Sequence, residues 1–313
     1  MVVYSAEETR DLLPFDELIE ALREMFRADA VAPMRHHHGI PLVGLPEATL
    51  LLMPAWNPTG LGGVKIVNVN PGNAARGMPA LCSSYLLFDV RTGQHVAMLD
   101  GGEITSRRTA AVSALAASYL ARADAQELLV VGAGRVANNL ADAFRAVRPI
   151  KEVVVWDVDA GMAGRLAERL TVEGFRAGVA QDLEAAVTRA DIISCATLAT
   201  DPLIAGVWLR PGLHLDLIGS FTPGMREADD DAVQRARVYI DTGGALEESG
   251  DLIEPIRSGA LTAERIAGDL AGLCRGTAPG RANEQEITLF KSTGSALADL
   301  AAATLAHTTM ADR

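Results

Sequence analysis

The stretch "LLVVGAGRVANNLADAF", Leu128 to Phe144, constrains this chain more than any other. An apolar run, a turn built on Gly132 and Gly134, and an amphipathic run follow one another directly. That succession predicts a buried strand, a tight turn and a helix. Gly132 permits the turn, Gly134 lets a pyrophosphate approach the backbone, and the small Ala137 lets helix and strand pack closely. The helix start supplies free N–H groups and the positive end of its dipole. A lone glycine pattern is weak, but the next strand-like run, "VVVWD", ends in Asp157. That is on the order of 20 residues downstream, where ribose recognition requires an acid. A carboxylate accepts two ribose hydroxyls and repels a 2′-phosphate, which favours NAD. Arg135 keeps NADP open, because a nearby Arg can accommodate that phosphate.

The alternation continues through "FRAGVA", "DLEAAVTRA", "DIISCAT", "LHLDLIGS" and "RVYIDTG". Strands alternating with helices predict a doubly wound parallel sheet of the Rossmann type over residues 121–285. The first 120 residues read differently. A Ser-capped start and an amphipathic helix occupy 5–30, and β-type runs alternate with turns from about 35 to 100. "RTGQ" between two apolar runs signals a hairpin, and "GEITSRRTAAVSALAASYLA" reads as a helix. The segment "EITLFKSTGSALADLAAATLAH" reads as a C-terminal helix, within 286–313, that packs back on this first α/β domain. A chain of 313 residues is long enough for both domains.

The net charge of −12 argues against nucleic acid and anionic membranes as partners. No apolar run reaches the roughly 18 residues of a membrane span. The N-terminus lacks the basic and apolar regions of a signal peptide. Three cysteines without a CxxC pair suit reduced thiols and a cytoplasmic location. Against the acidic background a few cations stand out. Lys65 lies in "GGVKIVNV", an otherwise buried strand. A buried lysine is costly unless paired, and its pKa falls on burial, which suits proton transfer. Arg35 precedes three histidines. Arg107 and Arg108 sit near a helix start, where a cation gains nothing from the dipole. Arg107 reads as a paired surface cation; Lys65, Arg35 and Arg108 are open between that reading and a site. His36, His37 and His38 would alternate along a strand and cannot all face one ion, so no metal is expected. Ser5, Ser106 and the cysteines lack spaced His and Asp partners for nucleophilic hydrolysis.

The blocks "GGVKIVNVNPGNAARGMPALCSSYLLFD", "EITSRRTAAVSALAA", "VVGAGRVA", "LHLDLIGSFTPGMREAD" and "EITLFKSTGSALADLAA" together resemble the ornithine cyclodeaminase/mu-crystallin family, in order and along nearly the whole chain. The resemblance implies a substrate-binding and dimerising N-terminal domain completed by the C-terminal helix, a Rossmann domain for a nicotinamide cofactor, and a homodimer. It implies that Arg35, Lys65 and Arg108 hold the substrate carboxylate and neighbouring atoms. It places cofactor contacts at Arg135, Val136, Asp157, Thr197 and Ser292. A cofactor-contacting Thr of cyclodeaminases corresponds to Ala80, so that contact is lost.

One departure narrows the chemistry. Cyclodeaminases carry an Asp two residues after the first Gly of a "GGDCPGK"-like loop. Here "GSFTPGM" puts Phe221 at that position and Met225 at the Lys. Cyclodeamination needs a carboxylate near C2 to move protons, and Phe221 cannot supply it. Asp216 lies on the preceding strand, and alternation points it to the opposite face. Reduction of a ready-made cyclic imine asks for less: Arg35 and Arg108 hold the carboxylate, Lys65 serves the imine nitrogen, and Phe221 packs on the apolar ring. The expectation is a ketimine reductase acting on 1-pyrroline-2-carboxylate or 1-piperideine-2-carboxylate. Ornithine cyclodeaminase, a related amino-acid dehydrogenase and a non-catalytic small-molecule binder remain open.

Overall fold

The computed structural model describes residues 1–311, and the chain divides into two compact units. The first comprises Met1–Arg108 and the chain from Ser295 on; the second is Thr109–Gly294.

In the first unit, Ser5 and Glu8 form a reciprocal capping box that starts α1 (Ala6–Asp11). Pro14 separates it from α2 (Phe15–Arg27), whose buried stripe is Phe15, Leu18, Ile19, Leu22 and Phe26. The six strands are β1 (Val2–Val3), β2 (His36–Ile40), β3 (Ala48–Trp56), β4 (Leu61–Val69), β5 (Leu81–Asp89) and β6 (His95–Asp100). They form one sheet in the order β1-β6-β5-β4-β3-β2, antiparallel except for the short β1–β6 pair. The β5–β6 connection is the expected hairpin; the Asp89 carboxylate accepts from the backbone of Arg91 and Thr92. The C-terminal helix Ala296–Ala311 packs across β3, β4 and β5 and against α2. Strand alternation turns Gly63, Lys65 and Val67 of β4, with Tyr85 and Leu87 of β5, to buried positions. Gly63 is required there: a Cβ would collide with the Tyr85 ring.

The second unit carries β7 (Glu127–Val131), β8 (Glu152–Trp156), β9 (Arg176–Val179), β10 (Ile192–Cys195), β11 (His214–Leu217), β12 (Arg237–Ile240), β13 (Ile266–Asp269) and β14 (Thr288–Lys291). All pair in parallel, in the order β13-β12-β14-β11-β10-β7-β8-β9. The chain leaves β7 towards β8 and β9, then returns to β10 on the other side of β7. Such a reversal opens a crevice at the carboxyl ends of the two central strands, where ligands bind in doubly wound sheets.

Two sequence expectations need correction. The segment 286–313 is not one helix, because Thr288–Lys291 is a strand buried between β11 and β12. Gly294, at φ 91°, then turns the chain into the helix that begins at Ala296. The break between units lies inside the helix α3 (Gly101–Leu120), after Arg108, not at residue 120. Its last turns belong to the second unit: Arg148 donates to the Ala117 and Ser118 carbonyls, and Thr288 to that of Leu120. Among the described residues no helix is long and apolar enough to cross a membrane.

Candidate functional site

In the second unit, the glycine turn sits between β7 and α4 (Ala137–Arg145). Gly132 has φ 107°, and a Cβ there would lie 2.6 Å from the Ala196 carbonyl. It therefore serves both the turn and the close approach of the loop after β10. A Cβ on Gly134 would meet nothing within 4 Å, so its backbone faces open space. The start of α4 at Val136 has no side-chain cap; Asn138 N and Asn139 N donate to the Gly134 and Val136 carbonyls, which leaves the N–H groups ahead of them for an anion. Val136 is half-buried and Arg135 exposed. The Asp157 carboxylate, at the end of β8, accepts from Ala133 N at 2.7 Å and Asp159 N at 2.8 Å. One backbone bond to each oxygen fixes the carboxylate beside the glycine turn and leaves lone pairs for hydroxyl donors. Thr197 follows β10, and its methyl would lie 3.4 Å from a Gly132 Cβ. These residues fit a dinucleotide: an open glycine turn, an uncapped helix start and a fixed acid beside both. Ser292 is buried, and its hydroxyl donates to Asp241 Oδ2 at 3.0 Å. It can offer a cofactor only its oxygen lone pairs.

In the first unit the three site cations converge. Lys65 Nζ lies 2.8 Å from Asp299 Oδ2 and directs a hydrogen bond to Oδ1 at 3.0 Å; Thr105 Oγ1 is 3.4 Å away. Arg108 Nε donates to the same Oδ1 at 2.9 Å. Both cations are almost wholly buried, and Asp299 is 0% exposed. Arg35 is half-buried and close enough for its charge to act on Lys65. Burial pulls the Lys65 ammonium down, Asp299 opposes that, and the Arg108 and Arg35 charges add to the fall, leaving it at about 8. Burial alone would raise the Asp299 carboxyl, but Arg108 and Lys65 outweigh it and hold the group below its ordinary value. One carboxylate thus faces two buried cations, Lys65 and Arg108, an excess of positive charge in a buried place. Asp299 occupies the Nε edge of Arg108 and leaves both terminal nitrogens for a second, bidentate partner.

Sequence reasoning missed Asp299, which sits 234 residues from Lys65 along the chain. Its signal was present as a single acid inside the apolar helix "SALADLAAATLA". It also missed Tyr85, the cross-strand partner of Lys65, whose buried phenol burial and Asp299 push well up. Arg107 is structural but not merely a surface cation: it donates to the Leu13 carbonyl and covers the Phe15 ring.

The loop after β11 carries Phe221, 49% exposed. Ser220 pins the loop, donating to the Met225 carbonyl and meeting Ser249 Oγ at 2.9 Å. Gly250 completes the turn, since a Cβ there would collide with the Met225 and Pro223 carbonyls. Asp216 is buried in the sheet and accepts from Ser194 of the adjacent strand. Burial pushes it up to about 7. Neither residue puts an ionised carboxylate on the loop. Among the described residues, no three His, Cys, Asp or Glu side chains are grouped to hold a metal ion.

The fold and these two sites define a two-unit α/β protein with a dinucleotide crevice in one unit and a buried cationic cluster in the other. The chain belongs to the ornithine cyclodeaminase/mu-crystallin family, whose model matches residues 1–313. It is 45% identical to the Delta(1)-pyrroline-2-carboxylate reductase of Paracoccus denitrificans over 284 residues, 87% of this chain and 89% of that one. Among solved structures it is similar to the Delta(1)-pyrroline-2-carboxylate reductase of Thermococcus litoralis in complex with NADH and L-proline. The TM-score is 0.93 and the identity 32%, covering 100% of this chain and 98% of that one. An archaeal alanine dehydrogenase dimer with bound NAD is also similar, with TM-score 0.91, 28% identity and coverage of 100% and 96%.

Proposed function

We propose that this chain is an NAD(H)-dependent reductase of cyclic 2-carboxy imines, 1-pyrroline-2-carboxylate or 1-piperideine-2-carboxylate, yielding the cyclic amino acid. The observation that carries this reading is the buried cluster in which the single carboxylate of Asp299 balances only part of the charge of Lys65 and Arg108. A substrate carboxylate completes that balance. Arg108 receives it through its terminal nitrogens, with Arg35 as the second cation. Lys65 donates a proton to the imine nitrogen and is reprotonated from water. NADH, when bound, would supply a hydride for C2; with the proton from Lys65 the C=N bond would become an amine, leaving NAD⁺. Gly132, Gly134, Arg135, Val136, Asp157, Thr197 and Ser292 are assigned to the cofactor, and Phe221 to the apolar ring. The reductases among the relatives support this substrate class. Phe221 in place of a loop acid disfavours cyclodeamination.

We read the working form as a cytoplasmic homodimer. The exposed thiol of Cys82 suits a reducing compartment. Strand β2 is an open sheet edge beside exposed Met34, Ile40, Val43 and Leu45, the kind of edge that proteins cover.

The pH profile tests the acid role of Lys65. With its pKa lowered to about 8, the ammonium is present below that value and lost above it. For reduction of 1-pyrroline-2-carboxylate, kcat/KM is expected to fall roughly tenfold per pH unit above about pH 8. A rate that rises through the same range would make Lys65 a base and reverse its assignment.

A further inference from the structure

Thr197 and Gly219 follow adjacent parallel strands, β10 and β11, on one side of the strand-order reversal. Between their loops lies a carboxylate to which sequence reasoning gave no role. Glu227 is 0% exposed. Its Oε1 accepts from Thr197 N at 2.8 Å and from Thr197 Oγ1 at 2.9 Å, and its Oε2 from Gly219 N at 2.7 Å. The fit is close, for a Cβ on Gly219 would collide with both Glu227 and the Thr197 backbone. Glu227 is itself held. Asp251 Oδ1 accepts from its backbone N–H at 2.8 Å, and Asp251 Oδ2 lies 3.2 Å from the buried Lys291 ammonium. Its backbone carbonyl accepts from Leu203 N and Ile204 N.

We propose that Glu227 is a positioning residue for the dinucleotide crevice. One buried carboxylate ties the loop after β10 to the loop after β11, and it fixes the direction of the Thr197 hydroxyl proton. That proton points to Glu227 and Ala199 N donates to the same oxygen at 3.2 Å, so the hydroxyl keeps one lone pair, and no proton, for any group beyond it. Thr197 borders Gly132 at the reversal, so the clamp acts where a bound dinucleotide must pass. The same clamp sets the start of the Phe221 loop. The inference rests on the assignment of this crevice to NADH.

Glu227→Gln keeps the size of the side chain, but its amide can no longer accept at both ends. NADH affinity, read by fluorescence titration, is expected to fall about 10–100-fold, as for loss of hydrogen bonds to a charged group. Thr197→Val is expected to fall similarly. The double variant should be no worse than the worse single one, because Thr197 acts on the crevice through the clamp that Glu227→Gln already loosens. The comparison needs only NADH, so it decides the role of Glu227 even where no imine is reduced. Wild-type NADH affinity in Glu227→Gln, or losses that multiply in the double variant, would overturn the proposal. Should Glu227→Gln fail to fold, Thr197→Val alone decides: undiminished NADH affinity overturns it.

Discussion

Replacing Lys65 by methionine is expected to lower kcat/KM for imine reduction by about 10²–10⁴-fold, the usual contribution of a general acid. NADH affinity should stay within about twofold, since Lys65 belongs to the first unit and Gly132, Gly134, Asp157 and Thr197 to the second. The variant should also fold. Methionine is unbranched and apolar, and Asp299 keeps Arg108 as its counter-ion at 2.9 Å. Because Asp299 is not stranded without a cation, the stability loss should be smaller than the cost of leaving a buried charge unpaired. Steady-state kinetics beside an NADH titration separates the possibilities. Equal losses in turnover and NADH affinity would remove Lys65 from the chemistry and make it a support for the cofactor.

Asp299→Asn is expected to cost stability as well as rate. It leaves Lys65 and Arg108 buried without the carboxylate that both contact. Breaking a buried ion pair from one side typically costs about 3–5 kcal/mol, because a charge is stranded. Urea unfolding of the variant should show a loss of that order. The direction of the pH effect is fixed too. Asp299 raises the Lys65 pKa against burial and the two arginines, so its removal lowers that pKa further. The alkaline fall in rate should therefore move to lower pH than in the unmodified protein. A limb that stays in place would mean that Asp299 does not tune Lys65, whatever happens to stability.

The parts of this molecule that were legible in its sequence are those whose causes are local. Gly132 and Asp157 were readable because strand, turn and helix follow one another within a few residues. The RTGQ hairpin and the stripe of α2 were readable for the same reason. Strand order was not: β14 enters the sheet between β11 and β12 from the far end of the chain. Its TLFK run merged with the Ala-rich helix because only Gly294 marks the boundary. At the site, Lys65 stood out as a cation in an apolar run and Arg108 as a cation near a helix start. Their shared counter-ion did not, because no local pattern links Asp299 to a strand in the other half of the sequence. Glu227 was hidden differently, as one acid in "MREADDD", a run that reads as a solvated surface. Only the fold shows that its carboxylate is turned inward between two loops.

The central claim is that the chain reduces a preformed cyclic imine and does not deaminate an open-chain diamino acid. The most direct measurement follows nicotinamide absorbance and product formation for three substrates in parallel: 1-pyrroline-2-carboxylate, 1-piperideine-2-carboxylate and L-ornithine, each with NAD(H) and with NADP(H). Consumption of NADH with at least one of the two imines, and no proline or ammonia from ornithine, is the expected result. Efficient conversion of L-ornithine to proline by the unmodified chain, despite Phe221, would contradict it.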